Sequence, residues 1–220
     1  MTARPNLQMM ITVHRAFERD IDRLSSALAQ HPGDAARVGA LAANWTLFYT
    51  LLEHHHQAED QALWPALLDA LASSAGVVTQ MEDEHHQLDG TLVQTHQDML
   101  QWAADPVPEL AEQAIAGMAA IRDLLTGHLR HEEAAALPLV EASMTAGDWA
   151  IFTDRNMELN ADVEWTMPWV LEGLPDPVRA AMWQMVPEPL RDGPLLSWCD
   201  SYSANLDAAF GITPSIRPPA

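Results

Sequence analysis

Lysine is absent from the 220-residue chain, and all eleven basic residues are arginine, against 31 acidic residues. The formal net charge of −20 leaves no basic stretch for phosphate groups, so nucleic acid and anionic membrane surfaces are not expected as partners.

No apolar run reaches the roughly 18 residues that a membrane-spanning helix needs. The first fifteen residues lack the apolar core of a secretion signal, and we expect a cytoplasmic protein. The single cysteine, Cys199, cannot form an internal disulfide, which agrees with a reducing compartment.

Strand-like alternation is also absent, and up to about residue 145 the apolar residues recur at the three-to-four spacing of amphipathic helices. Breaks at His31-Pro32-Gly33, at residues 73–76 and at residues 105–108 divide this region into four helices. We expect Asp34 to cap the second helix and Pro65 to kink it. The pattern predicts an all-α fold with an antiparallel four-helix bundle over residues 1–147.

The chain changes character after residue 147. Residues 148–220 hold five of the eight tryptophans and nine of the fifteen prolines. Short helices are predicted at about 148–159, 161–172, 176–186 and 194–209. This region is too apolar for a disordered tail. We expect a helical extension that packs on the bundle or forms a contact between subunits of a homo-oligomer.

Histidine is unusually crowded, and all ten histidines lie at or before position 131. The stretch HHQAEDQALWP at residues 55–65 is matched by HLRHEEAAALP at residues 128–138, with His, Glu and Pro at the same relative positions. His14 and His85, on the first and third helices, are separated by nearly the same number of residues as His55 and His128. The region therefore looks like two related helical hairpins, each with a His and a His-x-x-x-Glu.

The His-x-x-x-Glu spacing suits metal binding. Residues four apart on a helix lie on one face, with Cβ atoms ~5–6 Å apart, and a carboxylate so placed can bridge two ions about 3.5–4 Å apart. The repeated set supplies four imidazoles and two carboxylates. Two divalent cations with both carboxylates and a hydroxide leave about one positive charge, which makes burial tolerable. Mixed nitrogen and oxygen ligands favour iron, with manganese as an alternative, whereas zinc sites usually use fewer ligands.

As an ordered set, these motifs resemble those of the hemerythrin-like (HHE cation-binding) proteins, which are non-haem di-iron four-helix bundles. The resemblance covers roughly residues 10–145 and implies two iron ions joined by an oxo or hydroxo bridge, with Glu59 and Glu132 also bridging. The ligands implied by the resemblance are His14, His55, Glu59, His85, His128 and Glu132.

One position departs from the oxygen-carrying members of the family. They bear a further histidine one turn before the helix-3 ligand, where this chain has Met81. His56, about 100° around the helix from His55, could replace that ligand. Without it, the site would be more open than that of an oxygen carrier.

Several polar neighbours could support the ligands rather than bind metal. Asp60 and Glu133 follow the bridging candidates, and each either faces solvent or orients a histidine. His86 is either exposed or a supporting donor of the same kind. The remaining histidines, His31, His54, His96 and His131, are expected to be solvated or hydrogen-bonded elsewhere.

A ferritin-like di-iron site is the structural alternative. It would use Glu53-x-x-His56 and Glu82-x-x-His85. That scheme leaves His14 and His128 without a role, and it does not explain the matched segments on the second and fourth helices.

Three functions fit this sequence. The first is a protein that binds dioxygen, nitric oxide or peroxide at an open iron position. The second is a di-iron enzyme that disproportionates peroxide or oxidises an organic substrate, with the extension shaping a pocket. The third is a regulatory module that responds to iron or oxygen. A cavity between bundle and extension large enough for an organic molecule would favour the oxidase.

Overall fold

The computed structural model describes residues 3–160 and 162–217. Outside these ranges lie residues 1–2 at the start of the predicted bundle, Ala161 at the start of a predicted helix, and residues 218–220 at the end of the predicted extension. The bundle consists of α1 (Gln8–Gln30), α2 (Val38–Ala58), α3 (Trp64–Ala70), α4 (Ala75–Ala104), α5 (Pro108–His131) and α6 (Leu137–Ser143). The predicted all-α bundle is confirmed. No helix among the described residues is long and apolar enough to cross a membrane.

The bundle has four rods, which are α1, α2 with α3, α4, and α5 with α6. Two of these rods contain a π-helical segment: Glu59–Leu63 joins α2 to α3, and Glu132–Ala136 joins α5 to α6. In both, the residue after the segment donates its N–H to the carbonyl of the segment's first residue. Pro65 and Pro138 are the residues directly after these two donors. Because a proline ring collides with the carbonyl four residues before it in a regular α-helix, the wider π turn accommodates each proline without ending the rod. The irregularity predicted at Pro65 therefore lies just before it.

The start of the second rod differs from the prediction. Arg37, not Asp34, occupies the N-cap of α2. The Asp34 carboxylate instead accepts a hydrogen bond from the backbone N–H of Ala36 at 3.0 Å and pairs with Arg37 at 3.2 Å. An aspartate that binds the backbone two residues on forms a turn of its own, so Asp34 stabilises the turn before the helix.

The rod that carries the second matched histidine segment packs closely against α4. Gly117 on α5 faces Thr95 on α4, and a Cβ at this glycine would collide with the threonine side chain. A glycine here therefore allows the two helices to approach closely, which also brings the histidine-bearing parts of α4 and α5 together.

The extension forms the short helices α7 (Ala146–Leu159), α8 (Val163–Glu172), α9 (Asp176–Met185), α10 (Glu188–Arg191) and α11 (Pro194–Phe210). All but α10 lie close to the predicted positions, and α10 is a short helix that the sequence did not predict. Thr145 and Asp148 form a capping box at the start of α7. Helix α8 packs against α1 and α11, and α11 also packs against α1 and α2. Trp169 and Tyr202 belong to the same apolar core as Phe17 of the bundle. Bundle and extension therefore share one core.

A buried ionic network also joins α1 to the extension. Asp20, 4% exposed, accepts a hydrogen bond from Trp169 Nε1 at 2.7 Å and pairs with Arg23 at 3.2 Å. Arg23 in turn pairs with Glu172 at 2.7 Å, and Tyr202 donates to Glu172 at 2.8 Å. Since an uncompensated buried charge is costly, these partners fix how α8 and α11 lie on α1.

We expect Asp20→Ala to lower the free energy of unfolding by about 2–3 kcal/mol, because it leaves the indole N–H of Trp169 without its acceptor and removes one of the two carboxylates that Arg23 contacts. Urea unfolding measures this loss. The control is Asp22→Ala, which removes an exposed ion pair with Arg122 and should cost less than about 1 kcal/mol. Equal losses in the two variants would contradict a structural role for the buried network.

Candidate metal centre

Seven buried histidine and glutamate side chains from the four rods meet inside the bundle, each at most 3% exposed. They form two groups, and within each group one donor atom per residue lies within 4.8 Å of the others. The first group is His14, His55, Glu59 and Glu132, and the second is His56, His85 and His128. All seven residues predicted as ligands are thus brought together.

The Glu59 carboxylate lies between the two groups. Its Oε1 is 3.1 Å from His55 Nε2 in the first group, and its Oε2 is 3.3 Å from His85 Nε2 in the second. This is the placement expected of a carboxylate that bridges two ions. Glu132 approaches the first group, with Oε2 3.1 Å from His14 Nε2. Both glutamates are the first residues of their π segments.

Many of these facing atoms are close together without forming hydrogen bonds. Among the described residues, buried atoms without a hydrogen-bond partner include His14 Nε2, His55 Nε2, both ring nitrogens of His56, and both carboxylate oxygens of Glu59 and of Glu132. An unsatisfied buried polar group costs roughly 1–3 kcal/mol, more when charged. Imidazole nitrogens and carboxylate oxygens that converge in this way are donors suited to divalent transition metals. The residues present therefore fit a pair of metal ions.

Outer carboxylates orient three of the histidines. Nδ1 of His14 donates to Glu133 at 3.0 Å, Nδ1 of His85 to Asp60 at 2.8 Å, and Nδ1 of His128 to Glu84 at 3.0 Å. Because an ionised carboxylate can only accept, the proton lies on Nδ1 of each ring. The Nε2 atom then faces the centre, as in carboxylate–histidine–metal triads, and offers its lone pair to a metal ion when no proton occupies it.

These contacts decide between the alternatives that the sequence left for the supporting residues. Asp60 and Glu133 each contact a histidine of the cluster. His86 does not: it is exposed, and its Nδ1 lies 2.7 Å from the carbonyl oxygen of Glu82. The sequence reasoning missed Glu84. Its one signal was its place directly before a ligand candidate, and only the approach of α4 to α5 brings it to His128.

Burial and charge shift the pKa values of the cluster in opposite directions. Burial disfavours the charged form of His14, but Glu132 and Glu133 outweigh this effect and raise its pKa to about 10. Burial, together with the nearby Glu132, raises the pKa of Glu59 to about 8. Burial and neighbouring imidazoles lower the pKa values of His55 and His56. Since protons compete with metal ions for these atoms, metal affinity should rise with pH.

The other histidines lie outside both groups. His54 Nδ1 donates to Asn160 Oδ1 at 3.1 Å, and His96 Nδ1 accepts from Trp45 Nε1 at 3.1 Å. His131 Nδ1 lies 2.7 Å from Glu84 Oε1. His31 belongs to neither group.

The ferritin-like alternative is wrong. Glu82 is exposed and Glu53 lies outside both groups. His14 and His128, which that scheme leaves without a role, each belong to one of the groups. Met81 is fully buried and packs in an apolar cluster. It contributes no ligand nitrogen or oxygen at the position where oxygen-carrying hemerythrins bear a histidine.

We expect His55→Ala and His128→Ala each to lose at least one of two bound metal ions per chain, because each removes a nitrogen from one group. Elemental analysis of the purified variants measures this. His54→Ala is the matched control and should keep full metal content, since His54 faces Asn160. Two ions retained by both cluster variants would refute the ligand assignment.

The comparisons with known proteins agree with this geometry. The family model of the hemerythrin HHE cation binding domain matches residues 6–140, more than half of the chain. Neither the curated proteins nor the solved structures gave a significant match. The resemblance read from the histidine motifs is thereby confirmed, and the chain belongs to the hemerythrin HHE cation-binding domain family.

Proposed function

We propose that the protein holds two iron ions inside its bundle and binds dioxygen, or a related small ligand such as nitric oxide or peroxide, at one of them. The observation that carries this proposal is the unequal number of imidazoles in the two groups. His14 and His55 stand on one side, and His56, His85 and His128 stand on the other. If Glu59 and Glu132 are shared, the side with two imidazoles has a coordination position to spare.

His56 is central to this inequality. It groups with His85 and His128, and its ring stacks on that of His85 with the centroids 4.2 Å apart. This position supports the hypothesis that His56 supplies the nitrogen missing at Met81. Such a ligand would complete one metal position and leave the other available for an external molecule.

An apolar approach leads to the side with the spare position. A cavity of about 120 Å³ reaches His55, and its lining includes Phe17, Leu51, Trp169 and Val170. The Phe17 ring lies between the other rings, with its centroid 5.4 Å from that of His55 and 5.2 Å from that of Trp169. Small uncharged molecules such as dioxygen and nitric oxide suit this apolar passage, whereas ions do not.

To test the proposal, iron would be loaded without oxygen, and visible spectra recorded as dioxygen or nitric oxide is added and removed. We expect two irons per chain and a reversible, ligand-dependent absorption band. Val170→Phe should slow nitric oxide association several-fold by filling the cavity, whereas Val163→Phe, outside its lining and exposed, should not. A protein with two irons that responds to neither gas would refute the proposal.

A larger cavity favours a second function, the oxidation of an organic substrate. It measures about 390 Å³, lies between α2 and the extension, and is lined in part by Leu47, Leu51 and Trp165. Pockets for small organic molecules usually measure ~300–1,000 Å³. This cavity shares Leu51, Asn160 and Thr166 with the smaller cavity at His55. A molecule bound here would lie one layer of side chains from the route to the metal centre.

The lining also indicates the charge of such a substrate. Asp162 is a carboxylate in the lining, which contains no arginine, and the chain is strongly acidic. An organic anion is therefore disfavoured, and a protonated alkylamine that carries an aromatic ring suits Asp162 and the Trp165 ring. Oxidation of an amine to an imine releases two electrons and two protons, which together reduce dioxygen to hydrogen peroxide.

We expect tryptamine to stimulate hydrogen peroxide formation by the iron-loaded protein in air, whereas indole-3-acetate, with the same ring and the opposite charge, should not. Thr50→Trp should abolish the stimulation by filling the cavity without changing the iron content. Peroxide assays and elemental analysis measure the two quantities. Equal stimulation by both compounds would contradict the role of Asp162, and stimulation by neither would count against an amine oxidase.

A further inference from the structure

The cluster has another approach from the surface, between α2 and α4. A cavity of about 170 Å³ lies there, and its lining is Tyr49, Glu53, His56, Gln57, Asp60, Asp89, Leu92 and Val93. Three of these residues are carboxylates, and none is an arginine. Val93 and Asp89 are exposed, whereas His56 is 3% exposed. The cavity therefore runs from an acidic mouth to a buried imidazole.

His56 connects this cavity with the proposed metal centre. The same side chain lines the cavity and belongs to the group with His85 and His128. Neither of its ring nitrogens has a hydrogen-bond partner among the described residues. A buried imidazole that faces an acidic cavity with free nitrogens is a ready acceptor for a divalent cation.

Two carboxylates of this cavity act electrostatically on the same side chain, Tyr49. Burial raises the pKa of the Tyr49 hydroxyl, and the negative charges of Glu53 and Asp89 raise it further. Asp60, whose side chain is 38% exposed, lies against the cluster, with Oδ1 2.8 Å from His85 Nδ1. Like charges gathered in a cleft with low-dielectric walls produce a focused field that attracts ions of the opposite sign.

We propose that this acidic cavity is the entry port through which divalent cations reach the cluster. Glu53 and Asp89 attract the ion at the surface, and His56 is the first buried nitrogen that receives it. The inference rests on the metal centre proposed above, and it adds a route to that centre. Metal ions then enter along the α2–α4 face, and uncharged ligands enter through the apolar cavity at His55. The adjacent histidines His55 and His56 serve different entrances because they point to different sides of α2.

The test is the rate at which metal-free protein takes up Co²⁺, followed by visible absorption after rapid mixing. The entry variant is Glu53→Gln with Asp89→Asn, neither of which belongs to the metal groups. At low ionic strength, we expect its uptake rate to fall at least about ten-fold, with the same two ions bound at the end. The difference should shrink as salt is added, because salt screens charges near the surface.

A matched control removes the same charge elsewhere. Glu109→Gln with Glu112→Gln alters two exposed carboxylates at the start of α5, the nearer of them ~24 Å along the helix from His128. This variant should load at the wild-type rate. A further variant, Val93→Arg, adds a positive charge at the mouth of the cavity and should slow uptake, whereas Val93→Leu should not.

The outcomes separate the two proposals. Equal uptake rates in the entry variant, the control and the wild type would overturn the entry port while leaving the metal centre intact. Fewer ions bound by the entry variant at equilibrium would also overturn it, since Glu53 or Asp89 would then be a ligand. A wild-type protein that binds no Co²⁺ and no iron would refute the metal centre itself.

Discussion

The convergence of unpaired electron-pair donors inside an apolar core is the constraint on which the rest of this structure depends. Nitrogens of His14, His55 and His56 and both oxygens of Glu59 and Glu132 face one another without hydrogen bonds. In such surroundings, protons or metal ions must compensate the buried carboxylates. A pair of divalent cations would offset the charge and satisfy the donors at once. The hemerythrin HHE family assignment agrees with this interpretation.

The two hairpins complete each other at the centre. Asp60, on the rod of the first hairpin, orients His85 of the second, and Glu133 of the second orients His14 of the first. Neither hairpin alone can present a fully oriented set of donors. His56 breaks this two-fold pattern, since its counterpart in the matched segment is a leucine. The resulting asymmetry distinguishes the two proposed metal positions and supports ligand binding at only one of them.

The extension shapes the surroundings of the centre, and none of its described residues belongs to the cluster. The buried network of Asp20, Arg23 and Glu172 fixes α8 and α11 on α1, and Trp169 is thereby held against Phe17. The same packing encloses both cavities on that side of α2. The acidic cavity lies instead between α2 and α4. Proposed routes for uncharged molecules and for cations are thus separated by the α2 rod.

The sequence by itself determined the helices and the residues of the cluster. Both depend on local spacing: apolar periodicity sets the rods, and histidine four residues before glutamate sets a shared face, twice. Tertiary structure decided the rest, because it depends on helices distant in the chain. The close approach of α4 and α5 brings Glu84 to His128, and the fold places His56 with the second group. Cavities likewise exist only between packed elements, so no sequence pattern could show that α2 separates the acidic cavity from the apolar one.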